Sequence, residues 1–81
     1  MAASTNIEVL HAALKDAEDE LCAMGDTLVN QGWNTDTITM TIDVLRIALY
    51  GTDGRGNGPE HFDKARAELA ALREEEAASA A

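Results

Sequence analysis

A heptad stripe near the start of the chain constrains its fold more than any other feature. Ile7, Leu10, Leu14, Ala17, Leu21, Met24 and Leu28 recur at alternating spacings of three and four. That rhythm draws one narrow apolar seam along a helix, and such a seam has to bury itself against another helix. The chain therefore spends its longest patterned stretch on helix–helix contact.

The local signals frame three helices. Thr5-Asn6-Ile7-Glu8 fits a capping box, in which Thr5 accepts from the amide three residues on. The first helix is expected over residues 6–31, with Gly25 marking a kink or the close approach of another backbone. Gly32 stands where a left-handed C-cap residue belongs, and Trp33 is placed to fold back on Leu28 as the hydrophobic contact of a Schellman motif. Asn34, Thr35 and Asp36 form a second start signal for a helix over 35–50. Within it, residues 37–44 alternate polar and apolar with many β-branched side chains, which is a strand pattern. The segment nevertheless runs on through Leu45 and Leu49 without a turn, and no partner strand exists to pair its backbone. Helix is the reading adopted.

Read as a helix, this segment is apolar on two sides. Ile38, Ile42, Leu45 and Leu49 cluster on one, and Met40, Val44 and Ile47 lie almost opposite. A helix of that kind is wedged between neighbours, which are helices of the same chain or of a second copy. Residues 51–58, with four glycines, read as a flexible loop. Pro59 then sits at the first position of a third helix over 59–76, with Asn57 or Gly58 as its cap. Its buried stripe is Phe62, Ala65, Leu69 and Leu72. Glu74, Glu75 and Glu76 put negative charge near the helix C-terminus, where the helix dipole disfavours it, so residues 77–81 are expected as a disordered tail.

The fold class that follows is all-α. It is a single domain over residues 1–81, a helix hairpin plus a third helix after a Gly-rich loop. Eighty-one residues support only a small core, and association is a common remedy, so a homodimer is expected. The face of Met40, Val44 and Ile47 is the candidate dimer or partner surface. Cys22 is the only cysteine, so no disulfide within the chain offers an alternative, and amid Leu21, Ala23 and Met24 it reads as a small core residue. With no signal-peptide pattern and no apolar run approaching the roughly 20 residues of a membrane span, a cytoplasmic location without membrane attachment is expected.

Charge is the other constraint. The formal net charge is −9, and up to Asp36 the only Lys or Arg is Lys15. Such a field repels nucleic acid, excluding direct binding to it, and favours a protein partner with a basic surface. Glu8, Asp16, Asp19, Glu20 and Asp26 form the candidate binding face on or beside the outward side of the first helix.

No set of residues forms a chemical signature. A phosphate loop needs a lysine and a Ser or Thr after its last glycine, and Pro59 and Glu60 stand there instead. A calcium loop counted from Asp53 has Arg55 at its third position and Lys64 at its twelfth, where carboxyl or neutral oxygen ligands are required. His11 and Cys22 lie about 16 Å apart along one helix, too far to share a zinc. Asp16, Glu18, Asp19 and Glu20 read as a solvated face, and neither Tyr50 nor Ser79 has an evident base. No metal and no cofactor are expected.

The expected function is therefore non-enzymatic: a small acidic protein that binds another protein and modulates or inhibits it by occlusion. In size and charge the chain resembles the small acidic helical proteins that bacteriophages direct against host defences, anti-CRISPR proteins among them, although it shares no motif with them. That resemblance implies an alternative, an inhibitor of phage origin that mimics nucleic acid. A structural subunit of a larger assembly is the other alternative.

Overall fold

In the computed structural model, which describes residues 5–80 and side chains as far as residue 78, the first helix starts at its expected cap. Thr5 Oγ1 accepts from the Glu8 amide at 3.1 Å, and α1 runs over Asn6–Asn30 without a break at Gly25. Its end is a Schellman turn. Gly32 adopts φ 81°, the Trp33 amide donates to the Leu28 carbonyl at 3.0 Å, and the Gly32 amide donates to Val29. Trp33 is 65% exposed, so its side chain buries little at this turn.

Asn34 Oδ1 accepts from the Asp36 amide at 2.9 Å and turns the chain into α2, Asp36–Tyr50. Residues 37–44 are helical. Each β-branched residue costs the helix only about 0.5 kcal/mol, while burying an isoleucine or leucine side chain returns roughly 2 kcal/mol. α2 buries side chains in both directions, so packing outweighs propensity. Thr41 also settles its hydroxyl locally, donating to the Thr37 carbonyl at 2.7 Å.

α2 ends at Gly51 in the left-handed region, at φ 74°. The loop that follows is organised around a buried acid. Asp53 Oδ1 accepts from the amides of Arg55 (2.7 Å) and Asn57 (3.2 Å), and Oδ2 accepts from the Asn57 side-chain amide at 2.8 Å. The segment expected to be flexible is thus held by its own hydrogen bonds. A 3₁₀ turn, Pro59–His61, then leads into α3, Phe62–Ala80.

The expected tail is a second correction, since α3 continues through residues 77–80; residue 81 lies outside the described residues. Glu74–Glu76 sit before the last turn, where the dipole effect has faded, and the alanines around them are the strongest helix formers.

α2 is the middle member of a single layer. It packs against α1 on one side and α3 on the other, while α1 and α3 make no comparable contact. The radius of gyration is 14.6 Å, against about 12 Å for a compact domain of this length. Among the described residues the buried apolar side chains are Ile47, Leu49, Ala65 and Leu69. No strand occurs among those residues, and no helix is long and apolar enough to cross a membrane.

The contact of α1 with α2 does not run along the heptad stripe. His11, Glu18, Cys22 and Gly25 meet α2, each one residue beyond Leu10, Ala17, Leu21 and Met24. One residue is about 100° of helix. The stripe is therefore turned aside: Leu14, Leu21 and Leu28 are half-buried at the edge of the contact, while Ile7 (80%), Leu10 (60%) and Met24 (45%) remain exposed. The expectation that this stripe buries itself within the fold is corrected accordingly.

Gly25 marks the close approach of α2, since a Cβ there would meet Ile38 Cγ2 at 3.4 Å. We predict that Gly25→Ala stabilises the chain by up to about 1 kcal/mol, because the methyl just fits and the helix gains propensity. Gly25→Leu should destabilise it by about 1–3 kcal/mol by forcing the helices apart. Urea unfolding followed by circular dichroism checks both, and equal effects of the two substitutions would contradict the geometry.

Candidate functional site

The outward side of α1 carries the carboxylates that the sequence marks. Glu8, Asp16, Asp19, Glu20 and Asp26 are all exposed. Over their 18 residues they span about 27 Å of helix, and all but Glu20 fall within about 80° of arc. Lys15 pairs with Asp19 at 3.6 Å, both side chains more than half exposed, and such a pair contributes little. Among the described residues no other ion pair touches this face. Most of its charge is therefore unneutralised and hydrated.

Glu18 behaves differently from its neighbours in sequence, and its assignment to the solvated face is corrected. It is 7% exposed and points at α2. The Tyr50 hydroxyl donates to Glu18 Oε2 at 2.7 Å, and Arg46 Nε donates to Oε1 at 3.1 Å. Arg46 Nη2 also reaches Cys22 Sγ at 3.8 Å. The Tyr50 hydrogen bond, ahead of the Arg46 guanidinium, holds the Glu18 carboxyl below the usual carboxylate range against the opposing effect of burial. The same bond raises Tyr50, because a phenolate would face a carboxylate. Tyr50 is thus a hydrogen-bond donor to Glu18, with its proton held more firmly than in free tyrosine. The sequence signal was its phase: Glu18 lies in register with His11, Cys22 and Gly25.

His11 supplies a second tie in this seam. Its Nε2 lies 3.1 Å from the Leu49 carbonyl. A carbonyl only accepts, so Nε2 carries the proton, and the ring caps one of the carbonyls left free at the end of α2.

A polar cleft of about 250 Å³ opens between α2, the Gly-rich loop and α3, lined by Met40, Asp43, Ile47, Arg55, His61 and Glu68 among others. Arg55 pairs with Asp43 Oδ2, while Asp43 Oδ1 is buried without a partner. Asp53 spends both oxygens on the loop, and its hydrogen bonds to Asn57 and to the Arg55 amide hold its carboxyl below the usual range. Those bonds give the acid a loop-building role, whereas a calcium loop directs such oxygens toward the ion. Among the described residues no three His, Cys, Asp or Glu side chains come together as a metal site. Among the described residues no hydrogen bond joins a nucleophile to a histidine or carboxylate base apart from that of Tyr50 to Glu18.

The second candidate surface of the sequence lies largely inside the chain. Ile47 is buried and shares the cleft with Met40, Ala65 and Glu68; Met40 and Val44 are half-buried. By helical period these three side chains point toward α3. Most of the exposed large apolar side chains, Ile7, Val9, Leu10, Met24 and Val29, belong to α1.

Comparison of the chain with protein-family models, with curated proteins and with solved structures gives no match.

The Glu18 hydrogen bonds generate a pH prediction. Because its carboxyl is held low in the fold, it binds protons more weakly folded than unfolded. Its stabilising contribution is complete above the ordinary glutamate value, about 4.3, and is lost as pH falls through the folded value. We expect Glu18→Gln to cost about 1–3 kcal/mol at neutral pH through the weakened bonds to Arg46 and Tyr50. The difference from the unsubstituted chain should persist down to the ordinary glutamate range and shrink as pH falls below it. Acid also relaxes the general repulsion of a chain of charge −9, but that relaxation is common to both proteins. A difference that stays constant with pH in urea titrations would show that Glu18 is not held low.

Proposed function

We propose that this chain is a non-enzymatic binding protein that acts as a self-associated unit. The acidic face of α1 engages a basic surface of another protein and blocks that surface by occupying it. The observation that carries this reading is the face itself: Glu8, Asp16, Glu20 and Asp26 are exposed along one helix, and among the described residues none of them has an ion-pair partner. Such a helix presents a concentrated negative field on a rigid rod, which speeds encounter with a basic partner and confers salt dependence.

Mimicry of nucleic acid is the narrower version. Five carboxylates over about 27 Å give one charge per roughly 5 Å of axis, against one per about 1.7 Å for duplex DNA. The face is about a third as dense as a duplex, so it fits a basic protein patch better than a cleft shaped to both strands. A permanent subunit of a larger assembly is the other alternative, and it differs in leaving little exchangeable partner.

The test is capture of a partner from the source cell, followed by titration of the purified partner at rising salt. Binding should weaken by about tenfold or more between 50 and 200 mM salt, in proportion to the charges paired. A combined Asp16→Asn, Asp19→Asn and Glu20→Gln variant should weaken it by a further 10–100-fold, about 1.4–2.8 kcal/mol. Affinity indifferent to both salt and neutralisation would overturn the reading.

A further inference from the structure

The largest unexplained feature of the molecule is the apolar stripe that α1 turns away from α2. It runs from Ile7 to Leu28, about 32 Å of helix. Its outer edge, Leu10, Ala17 and Met24, is exposed, and its inner edge, Leu14, Leu21 and Leu28, is only half-buried. By helical period, Thr41 and Leu45 of α2 lie on the same side of the α1–α2 layer, so the two helices present one continuous open face. The chain exposes 5849 Å² in all, whereas a compact folded protein of 8.6 kDa exposes about 4,700 Å². The excess of roughly 1,100 Å² belongs to the open single-layer arrangement, in which this stripe is one uncovered face. A stable interface buries about 800 Å² from each partner, so the surplus is of the size that one more contact removes.

We propose that the occupant of this face is a second copy of the chain, docked through α1 against α1 in antiparallel orientation. The inference rests on the self-association reading above and assigns its surface. The sequence of the stripe is self-complementary in that orientation. With Leu14 of one copy set beside Ala17 of the other, Leu10 meets Leu21 and Ile7 meets Met24, each pairing occurring twice about the two-fold axis. This is the alternation of seam positions that antiparallel coiled coils use. Leucine against alanine at the centre lets the helices approach, and larger side chains close the ends.

Charge agrees with this arrangement. The flanking residues on the open side of the stripe are Ala13, Glu20 and Thr27. In this register Glu20 lies beside Ala13 of the other copy, so no carboxylate is forced against another. The acidic residues Glu8, Asp16, Asp19 and Asp26 fall on the far side of α1 and stay in water. A partner of different chemistry would have to meet a seam that the chain already matches itself.

The experiment is sedimentation equilibrium of the full chain, with variants placed on and off the seam. The unsubstituted protein is expected at twice 8.6 kDa. Leu10→Glu and Met24→Glu should each raise the dimer dissociation constant at least 100-fold. Ala12→Glu should leave it within about threefold, because Ala12 is exposed but lies about 160° around the helix from Leu10. Circular dichroism reports whether each variant is folded. If a seam variant unfolds, the melting temperature of the unsubstituted chain supplies the readout, and it should rise with protein concentration. A monomer throughout the micromolar range, with a concentration-independent melting temperature, would overturn self-association and this surface together. A dimer that both seam variants leave intact would overturn this surface and keep self-association. Neither result bears on salt-dependent capture of a partner by the acidic face.

Discussion

Everything in this fold rests on α2 being buried from two directions. α1 and α3 make no substantial contact with each other, so each is held by what it finds on α2. On the α3 side the contact is apolar, built from Ile47 on α2 and Ala65 and Leu69 on α3. On the α1 side it is partly polar, with Glu18, Arg46, Tyr50 and His11 in its hydrogen bonds. The two sides differ in kind. Apolar burial sets how strongly α3 is held and tolerates sliding. Fixed donors and acceptors at Arg46, Tyr50 and the Leu49 carbonyl set where α1 stops along α2.

That difference explains why the heptad stripe is not the packed seam. A stripe of leucines alone would favour whichever rotation buries the most apolar area. The rotation observed is one residue away, and it brings Glu18 against Arg46 and Tyr50 while Gly25 admits Ile38. A rotation toward the leucines would carry Glu18 away from its donors. Losing the two hydrogen bonds to the carboxylate, each worth about 1.5–3 kcal/mol, outweighs covering one further leucine, roughly 2 kcal/mol. The polar ties therefore select the rotation, and the apolar surplus faces outward.

The three helices, their caps at Thr5 and Asn34, the left-handed glycines and the two-sided character of α2 were legible in the sequence, because capping and periodicity are local properties. The choice of helix over strand at residues 37–44 was legible only through a global argument, the lack of any partner strand. Other features escaped, three of them instructive. The order of the Gly-rich loop depends on Asp53 turning inward, and glycine content alone suggests the opposite. The helical end of α3 depends on how far the dipole penalty reaches. The burial of Glu18 depends on the rotation of α1, which no single-helix pattern fixes; only its shared phase with Cys22 and Gly25, set against Arg46 as the one basic residue on α2, pointed toward it. The acidic face, by contrast, followed directly from counting charges around the helix, since nothing else in the chain is placed to cover it.

The two remaining surfaces of α1 suit different tasks because they are geometrically separate. The open stripe and the centre of the acidic arc lie about 160° apart around the helix axis. Closing the stripe against a second copy would leave every carboxylate of that arc in water. It would also set two acidic helices back to back on one rigid unit, with twice the charge of the single chain. Closure therefore presents two separate acidic faces to basic partners, each beyond the screening length of the other, about 8 Å at physiological salt. It also stiffens α1 at its N-terminal end, where Ile7 and Leu10 project past the end of α2 near His11 and Leu49. On this argument the apolar half of the helix and the acidic half are two parts of one device. The first fixes the rod, and the second presents its charge.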